Sequence, residues 1–271
     1  MRKKILINVA VPVLSIVVLL LIWEAIVVGF HVQPYLAPRP LAAIQAVTDN
    51  WGTLWPLVLG TLRETAIGYL CGAALGFFFG VIMSRFQLVQ RVLYPQLVLS
   101  QAIPVIALAF PLTAILGFGS TKPIIAIVVW IVFFPVTVSV LSGLSHVDQD
   151  LLNLAKVYGA SKWRTFWQIE VPATVTSMFA GLKIAAAYAV TGAIIGQGAS
   201  PAGSSLDQYQ THANGVLNEA AVYGTTMVMA LIGVTFFLAV VGVEVFATPW
   251  QRRTVARRFR RHSIATTKSA Q

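Results

Sequence analysis

The chain has 271 residues, of which 57% are hydrophobic and only 10% charged, with a mean hydropathy of +0.79. Soluble domains carry about 25% charged residues, so this composition excludes an ordinary soluble enzyme, a disordered tail and a disulfide scaffold. The formal net charge of +10 would suggest nucleic acid in a soluble protein, but here the placement of the charges decides, and the composition is that of an integral membrane protein.

A crossing helix needs about 20 mostly apolar residues to span roughly 30 Å of hydrocarbon. Six stretches meet this, at about residues 7–30, 65–83, 93–117, 123–143, 173–196 and 220–246. The first follows a basic Arg2-Lys3-Lys4, yet it is longer than a signal-peptide core and no small-x-small cleavage site closes it. A retained first helix, within residues 1–35, is expected. The second is rich in glycine and alanine, and Cys71 within it has no second cysteine with which to form an internal disulfide. The third contains Pro95, Pro104 and Pro111, which predict a bent or discontinuous span.

The loops then set orientation. With the N-terminus inside, fifteen of the 19 Lys and Arg fall on the cytoplasmic side, counting the basic tail 248–271. Both termini are therefore expected in the cytoplasm, and the tail reads as a solvated or lipid-headgroup segment rather than a nucleic-acid binder. On the outer side, residues 36–62 form a loop with a short amphipathic helix near Leu41–Val47, and Trp51 and Trp55 suit the interface. The core of five further spans occupies 63–247.

One cytoplasmic loop is long. Residues 144–172 are too polar to cross and too apolar to be disordered. Asp148 or Asp150 starts a helix whose Leu151, Leu152, Leu154, Ala155 and Tyr158 share a face; Gly159 breaks it. Ser161 caps a second short helix through Trp163, Phe166, Trp167 and Ile169, which Pro172 is expected to end. Two amphipathic helices turned at a glycine suit docking of a soluble partner better than lying on lipid, because they lack a broad basic face.

No catalytic constellation is visible: no phosphate-binding loop, no nucleophile elbow and no metal-ligand spacing among His31, His146, His212 and His262. The chain reads as no enzyme, with no metal and no cofactor of its own. Intramembrane charge is sparse. Glu24, Glu64 and Glu244 lie near span ends, and Lys183, deep in the fifth span, either snorkels or pairs with a carboxylate such as Glu244. Gln101, Thr113, Tyr188, Thr191 and Gln197 are polar residues in apolar spans; each lines a translocation pathway or bonds a neighbouring helix. The alternative of a stand-alone secondary carrier would be supported by matching inverted halves, and none is evident.

The long loop resembles the cytoplasmic motif of type I ABC importer permeases, written E-A-A, three residues, Gly, nine residues, Ile, one residue, Leu-Pro. Here Ala155, Gly159, Ile169 and Pro172 fall at that spacing, while Asn153 replaces the Glu, Leu154 an Ala and Val171 a Leu. Leu36-Ala37-Pro38-Arg39-Pro40, Gly117-Phe118-Gly119 and Gly181-Leu182-Lys183-Ile184-Ala185 resemble segments of the nitrate/sulfonate/taurine branch. Ser100-Gln101-Ala102-Ile103-Pro104 and the stretch from Tyr188 to Ala193 are most similar to permeases for thiamine-pyrimidine precursors or riboflavin.

The resemblance implies an all-α permease fold of six spans in the bacterial inner membrane, working as a pair of chains. It also implies two cytoplasmic ATPase subunits that hold ATP and Mg, and a periplasmic or lipid-anchored solute-binding protein. The loop would be the coupling helices. Leu151, Leu154, Ala155, Tyr158, Gly159, Trp163, Ile169 and Pro172 would supply the docking face, the turn and the exit, with Asn153 at the position of the missing Glu. Lys156, Lys162 and Arg164 would either meet acidic ATPase residues or simply serve orientation.

Overall fold

The computed structural model describes residues 2–200 and 205–249, without the side chains of residues 2–10, 12 and 13. The basic tail beyond residue 249 and the side chains of Arg2, Lys3 and Lys4 lie outside the described residues. The described chain is helical with no strand. In order it runs α1 (Arg2–Gly29), α2 (Pro40–Asp49), α3 (Trp51–Arg85), α4 (Gln87–Ser100), α5 (Val105–Leu116) and α6 (Lys122–Ser145). Then follow α7 (Gln149–Val157), α8 (Lys162–Thr165), a π-helical turn (Phe166–Glu170), α9 (Val171–Ala199), α10 (Leu206–Gly215) and α11 (Glu219–Ala247).

Four of these are long and apolar enough to cross a membrane: α3, α6, α9 with its N-terminal extension, and α11. The expected third span is split. Pro104 has no N–H to continue a helix and disfavours helical geometry in the residue before it, and α4 and α5 meet at 101° across residues 101–104. Alone, α5 is roughly 18 Å long at 1.5 Å per residue, too short to cross; together the bent pair has the length and composition of a broken span or a re-entrant loop. The apolar stretch described in α1 is Leu14–Gly29.

The bundle is centred on α6. Val128, Val132, Val136 and Val140 recur every fourth residue along one face and are buried. Facing them, Gly68, Gly72, Gly76 and Gly80 form an equally spaced stripe on α3. A Cβ at Gly76 would sit 2.8 Å from both the Phe133 carbonyl oxygen and Val136 Cβ, so only hydrogen fits there. Small residues also form the α9 contact with α6: Gly181 meets Ser139 and the Pro135 carbonyl, Gly192 meets Ile131, and Gly196 meets Ile124. Apolar surface gains nothing by leaving lipid, so close van der Waals contact between such faces is what holds membrane helices together. Tyr69 locks the far side, donating to the Leu182 carbonyl at 2.8 Å and packing edge-on against Phe236.

Two expectations change. The loop expected over 36–62 is shorter, because α3 already begins at Trp51. Leu54, Leu57, Val58, Thr61 and Thr65 are buried at helical spacing, so the apolar periodicity continues upstream of the predicted span. Pro172 also ends nothing. It sits in the first turn of α9, and the helix runs unbroken from Lys162 to Ala199. The preceding turn widens into π geometry, with Val171 N–H reaching back to the Phe166 carbonyl, and a wider turn accommodates a residue that lacks an N–H. The short amphipathic helix expected near Leu41–Val47 is present as α2. Lys183 pairs with Glu244 of α11, its Nζ lying 3.0 and 2.8 Å from the two carboxylate oxygens.

Gly76→Ala is expected to destabilise the detergent-solubilised protein by about 1–3 kcal/mol, because the helices must separate. Gly60→Ala, whose added methyl would meet no neighbouring element within 4 Å, should not destabilise it. Thermal unfolding midpoints of the two variants check this.

Candidate functional site

At the end of the bundle that carries Arg85, Lys156, Lys162 and Arg164, residues 148–170 project as a hairpin. Asp148 caps α7 by accepting from the Asp150 N–H at 2.9 Å. At the other end Gly159 adopts φ +71°, the left-handed conformation that a Cβ disfavours. Its N–H bonds the Lys156 carbonyl and the Ala160 N–H bonds the Ala155 carbonyl, which closes the helix in a Schellman motif. Ser161 then caps the second helix, accepting from the Arg164 N–H at 3.3 Å.

The hairpin has two faces. Ala155 and Phe166 are buried toward the bundle, so Ala155 does not share the exposed face of Leu151, Leu154 and Tyr158 on which it was expected. Leu151, Leu154, Tyr158 and Trp163 point outward, with Tyr158 82% and Trp163 72% exposed. Asn153, Lys156, Gly159, Lys162 and Arg164 are exposed too, and Ile169 is half-buried. Arg164 bonds Gln168 one turn on, Nε to Oε1 at 3.0 Å. Trp163, Phe166 and Trp167 form a cluster of ring contacts that stiffens the tip. Four large side chains, Leu151, Leu154, Tyr158 and Trp163, thus form one exposed apolar surface on the capped hairpin.

What fastens this hairpin was not visible in the sequence. Arg85, the last residue of α3, makes a bidentate pair with Glu170: Nη1 donates to Oε1 at 3.2 Å and Nη2 to Oε2. The guanidinium also lies 5.0 Å from the centre of the Phe166 ring. Two helices far apart in sequence are thereby joined at the root of the projection. The only sequence hint was Glu170 itself, an acid inside the motif, and nothing in its spacing names Arg85 as its partner.

The five polar span residues do not share one surface. Gln101 is exposed at the α4–α5 corner, its Nε2 near Ser100 Oγ at 3.4 Å. Thr113 is fully buried and spends its hydroxyl proton on the Ala109 carbonyl at 2.8 Å. Gln197 is also buried, donating from Nε2 to Thr61 Oγ1 at 2.9 Å and to Glu64 Oε2 at 2.7 Å, which ties α9 to α3. Only Tyr188 and Thr191 lie together on an open face, along α9 with Ile184. Near Gln197, the Asp207 carboxyl on α10 approaches Gly198, and burial raises its pKa above the usual carboxylate range.

Apolar helices long enough to span a bilayer, with a hairpin projecting from one end of the bundle, define a multi-pass membrane protein. The family described as binding-protein-dependent transport system inner membrane component matches residues 72–253, and the chain belongs to it, as a permease of the type I ABC importer kind. A probable ABC transporter permease protein of Haemophilus influenzae is 31% identical over 218 residues, covering 80% of this chain and 88% of that one. The formylaminopyrimidine transport permease protein ThiX of Halalkalibacterium halodurans is 37% identical over 190 residues, 69% of this chain and 74% of its own. The taurine transport system permease protein TauC of Escherichia coli is 26% identical over 178 residues, 63% and 64% of the two chains.

Arg85→Gln leaves the Glu170 carboxylate, 11% exposed, without its cation. The root of the hairpin should loosen by about 1–3 kcal/mol, read as faster amide exchange across residues 162–170. The Arg85→Gln, Glu170→Gln double variant should recover part of the loss. Unchanged exchange in the single variant would show that the pair holds nothing.

Proposed function

We propose that two copies of this chain form the translocation unit of an ATP-driven importer, each docking an ABC ATPase subunit through its hairpin. A solute-binding protein delivers substrate at the opposite face. In this reading α1 and the broken α4–α5 pair complete six spans, and both termini lie in the cytoplasm. ATP and Mg are held by the ATPase. The observation that carries the reading is the open apolar tip of Leu151, Leu154, Tyr158 and Trp163, of which Trp163 stands on the helix that runs unbroken from Lys162 into α9.

The physical chain of cause runs from that tip. When the ATPase pair closes on ATP, the hairpins are carried toward each other. Helix from Lys162 to Ala199 is one piece, so displacement at Trp163 reaches Tyr188 and Thr191 without an intervening hinge. Through Glu170 and Arg85 the same displacement reaches α3. The open face of α9 then changes its relation to the second copy, and the solute path alternates. Lys156, Lys162 and Arg164 border the docking surface and favour acidic groups on the ATPase.

The solute is a small polar molecule, and we favour an uncharged heterocycle of the pyrimidine type over an inorganic anion. Support comes from the likeness to the formylaminopyrimidine permease and from the open face of α9, where Tyr188 offers a ring and Thr191 a hydroxyl. The one cation of α9, Lys183, is already paired with Glu244, which leaves no free positive charge on that helix for an anion.

The test is affinity purification of the tagged chain from native membranes, with the partners identified and the complex mass measured. An ATPase at one copy per permease is expected. Leu154→Asp with Tyr158→Glu should cut ATPase recovery by roughly tenfold or more while membrane insertion stays normal. A wild-type chain that purifies alone, also after cross-linking, would contradict the proposal. Gly159→Val forces a β-branched residue into the left-handed region; it should uncouple ATP hydrolysis from uptake. Coupled uptake at the wild-type rate would count against the hairpin's role.

A further inference from the structure

Behind the docking tip lies a cavity of about 560 Å³ that shares Trp163 with the tip and has no wall on the open face of α9. Its inner wall begins at Val81, one turn inside the end of α3, and passes Arg85 and Phe166. Its outer wall is Trp163 with Lys156 and Lys162. The cavity therefore runs from span depth, where the lining is apolar, to the cytoplasmic surface, where it is basic.

The charges in it are unequal. Arg85 is occupied by Glu170, so those two cancel. Lys156 and Lys162 are exposed, and neither pairs with a carboxylate among the described residues. Two free ammonium groups remain over an aromatic and aliphatic wall. An aqueous anion would use the lysines and leave that wall wet. A molecule with a phosphate at one end and hydrocarbon at the other uses both, and the bilayer supplies such molecules at this depth.

We propose that this cavity binds an anionic phospholipid, with Lys156 and Lys162 meeting the phosphate and Val81, Phe166 and Trp163 flanking the start of an acyl chain. The lipid sits between the hairpin and α3, beside the Arg85–Glu170 pair, and makes the set of the hairpin depend on the charge of the inner leaflet. The inference rests on the orientation proposed above and shares Trp163, Lys156 and Lys162 with the border of the docking surface, so its test is made without the ATPase.

The experiment uses the full chain without ATPase, reconstituted in mixed phosphatidylglycerol and phosphatidylcholine and released for native mass spectrometry. Preferential retention of phosphatidylglycerol is expected, weakened on the order of fivefold by each of Lys156→Gln and Lys162→Gln. Arg91→Gln, which removes a basic residue outside the cavity, should not change it. In parallel, phosphatidylglycerol with brominated chains should quench Trp163, identified by difference from Trp163→Phe, more than brominated phosphatidylcholine does. Equal retention of the two lipids would overturn the proposal, as would retention indifferent to both lysine variants. Displacement by millimolar inorganic phosphate would overturn it in favour of an aqueous anion site.

Discussion

The close approach of α3 and α9 to the two sides of α6 is the contact on which the rest of the structure depends. Lipid tails are as apolar as valine, so burying the face of α6 releases no water and gains nothing from hydrophobicity. What remains is contact at short range, and contact at short range needs one surface to be nearly flat. The glycines of α3 at every fourth position provide that flatness against Val128, Val132, Val136 and Val140. With α6 gripped from both sides, the ends of α3 and α9 are fixed relative to each other, and Arg85 and Glu170 come within bonding distance. The hairpin inherits its position from a contact deep in the membrane.

Polar groups inside the bundle follow the same logic. The threonines Thr113, Thr137 and Thr225 bond carbonyls of their own helices, while the longer side chains reach across to another helix. Lys183 meets Glu244, Gln197 meets Thr61 and Glu64, and Tyr69 meets the Leu182 carbonyl. These bonds join α9 to α11 and α3 at different depths, and they draw α9 into one body with its neighbours. A helix so held transmits displacement along its length. The unbroken run from Lys162 through the π turn into α9 gives the projection no soft joint at its base.

Much of this was legible in the sequence where the signal is local. The helix starts at Asp148 and Ser161, the turn at Gly159 and the break near Pro104 each follow from one residue's own chemistry, and each is found. The Lys183–Glu244 pair was one of two stated options, because a cation deep in a span either snorkels or pairs with a carboxylate. Non-local geometry was not legible. Nothing near Arg85 announces Glu170, and periodicity alone did not show that Thr113 and Gln197 turn into the bundle while Tyr188 and Thr191 turn out. Pro172 was read as a stop because the π turn that accommodates it has no signature in composition. The early start of α3 was masked by Trp51, Pro56 and Arg63, whose interfacial character hid a continuous buried face.

The central claim is that the hairpin and α9 move as one piece. Spin labels at Val157→Cys and at an exposed site on α9, Ile184→Cys, allow distances to be read by pulsed electron paramagnetic resonance in the assembled transporter, with and without ATP. The account predicts that the distance between the two sites within one copy stays constant, while the Val157–Val157 distance between copies shortens with ATP. A change within one copy as large as the change between copies would mean that the hairpin pivots on α9, and would contradict the account.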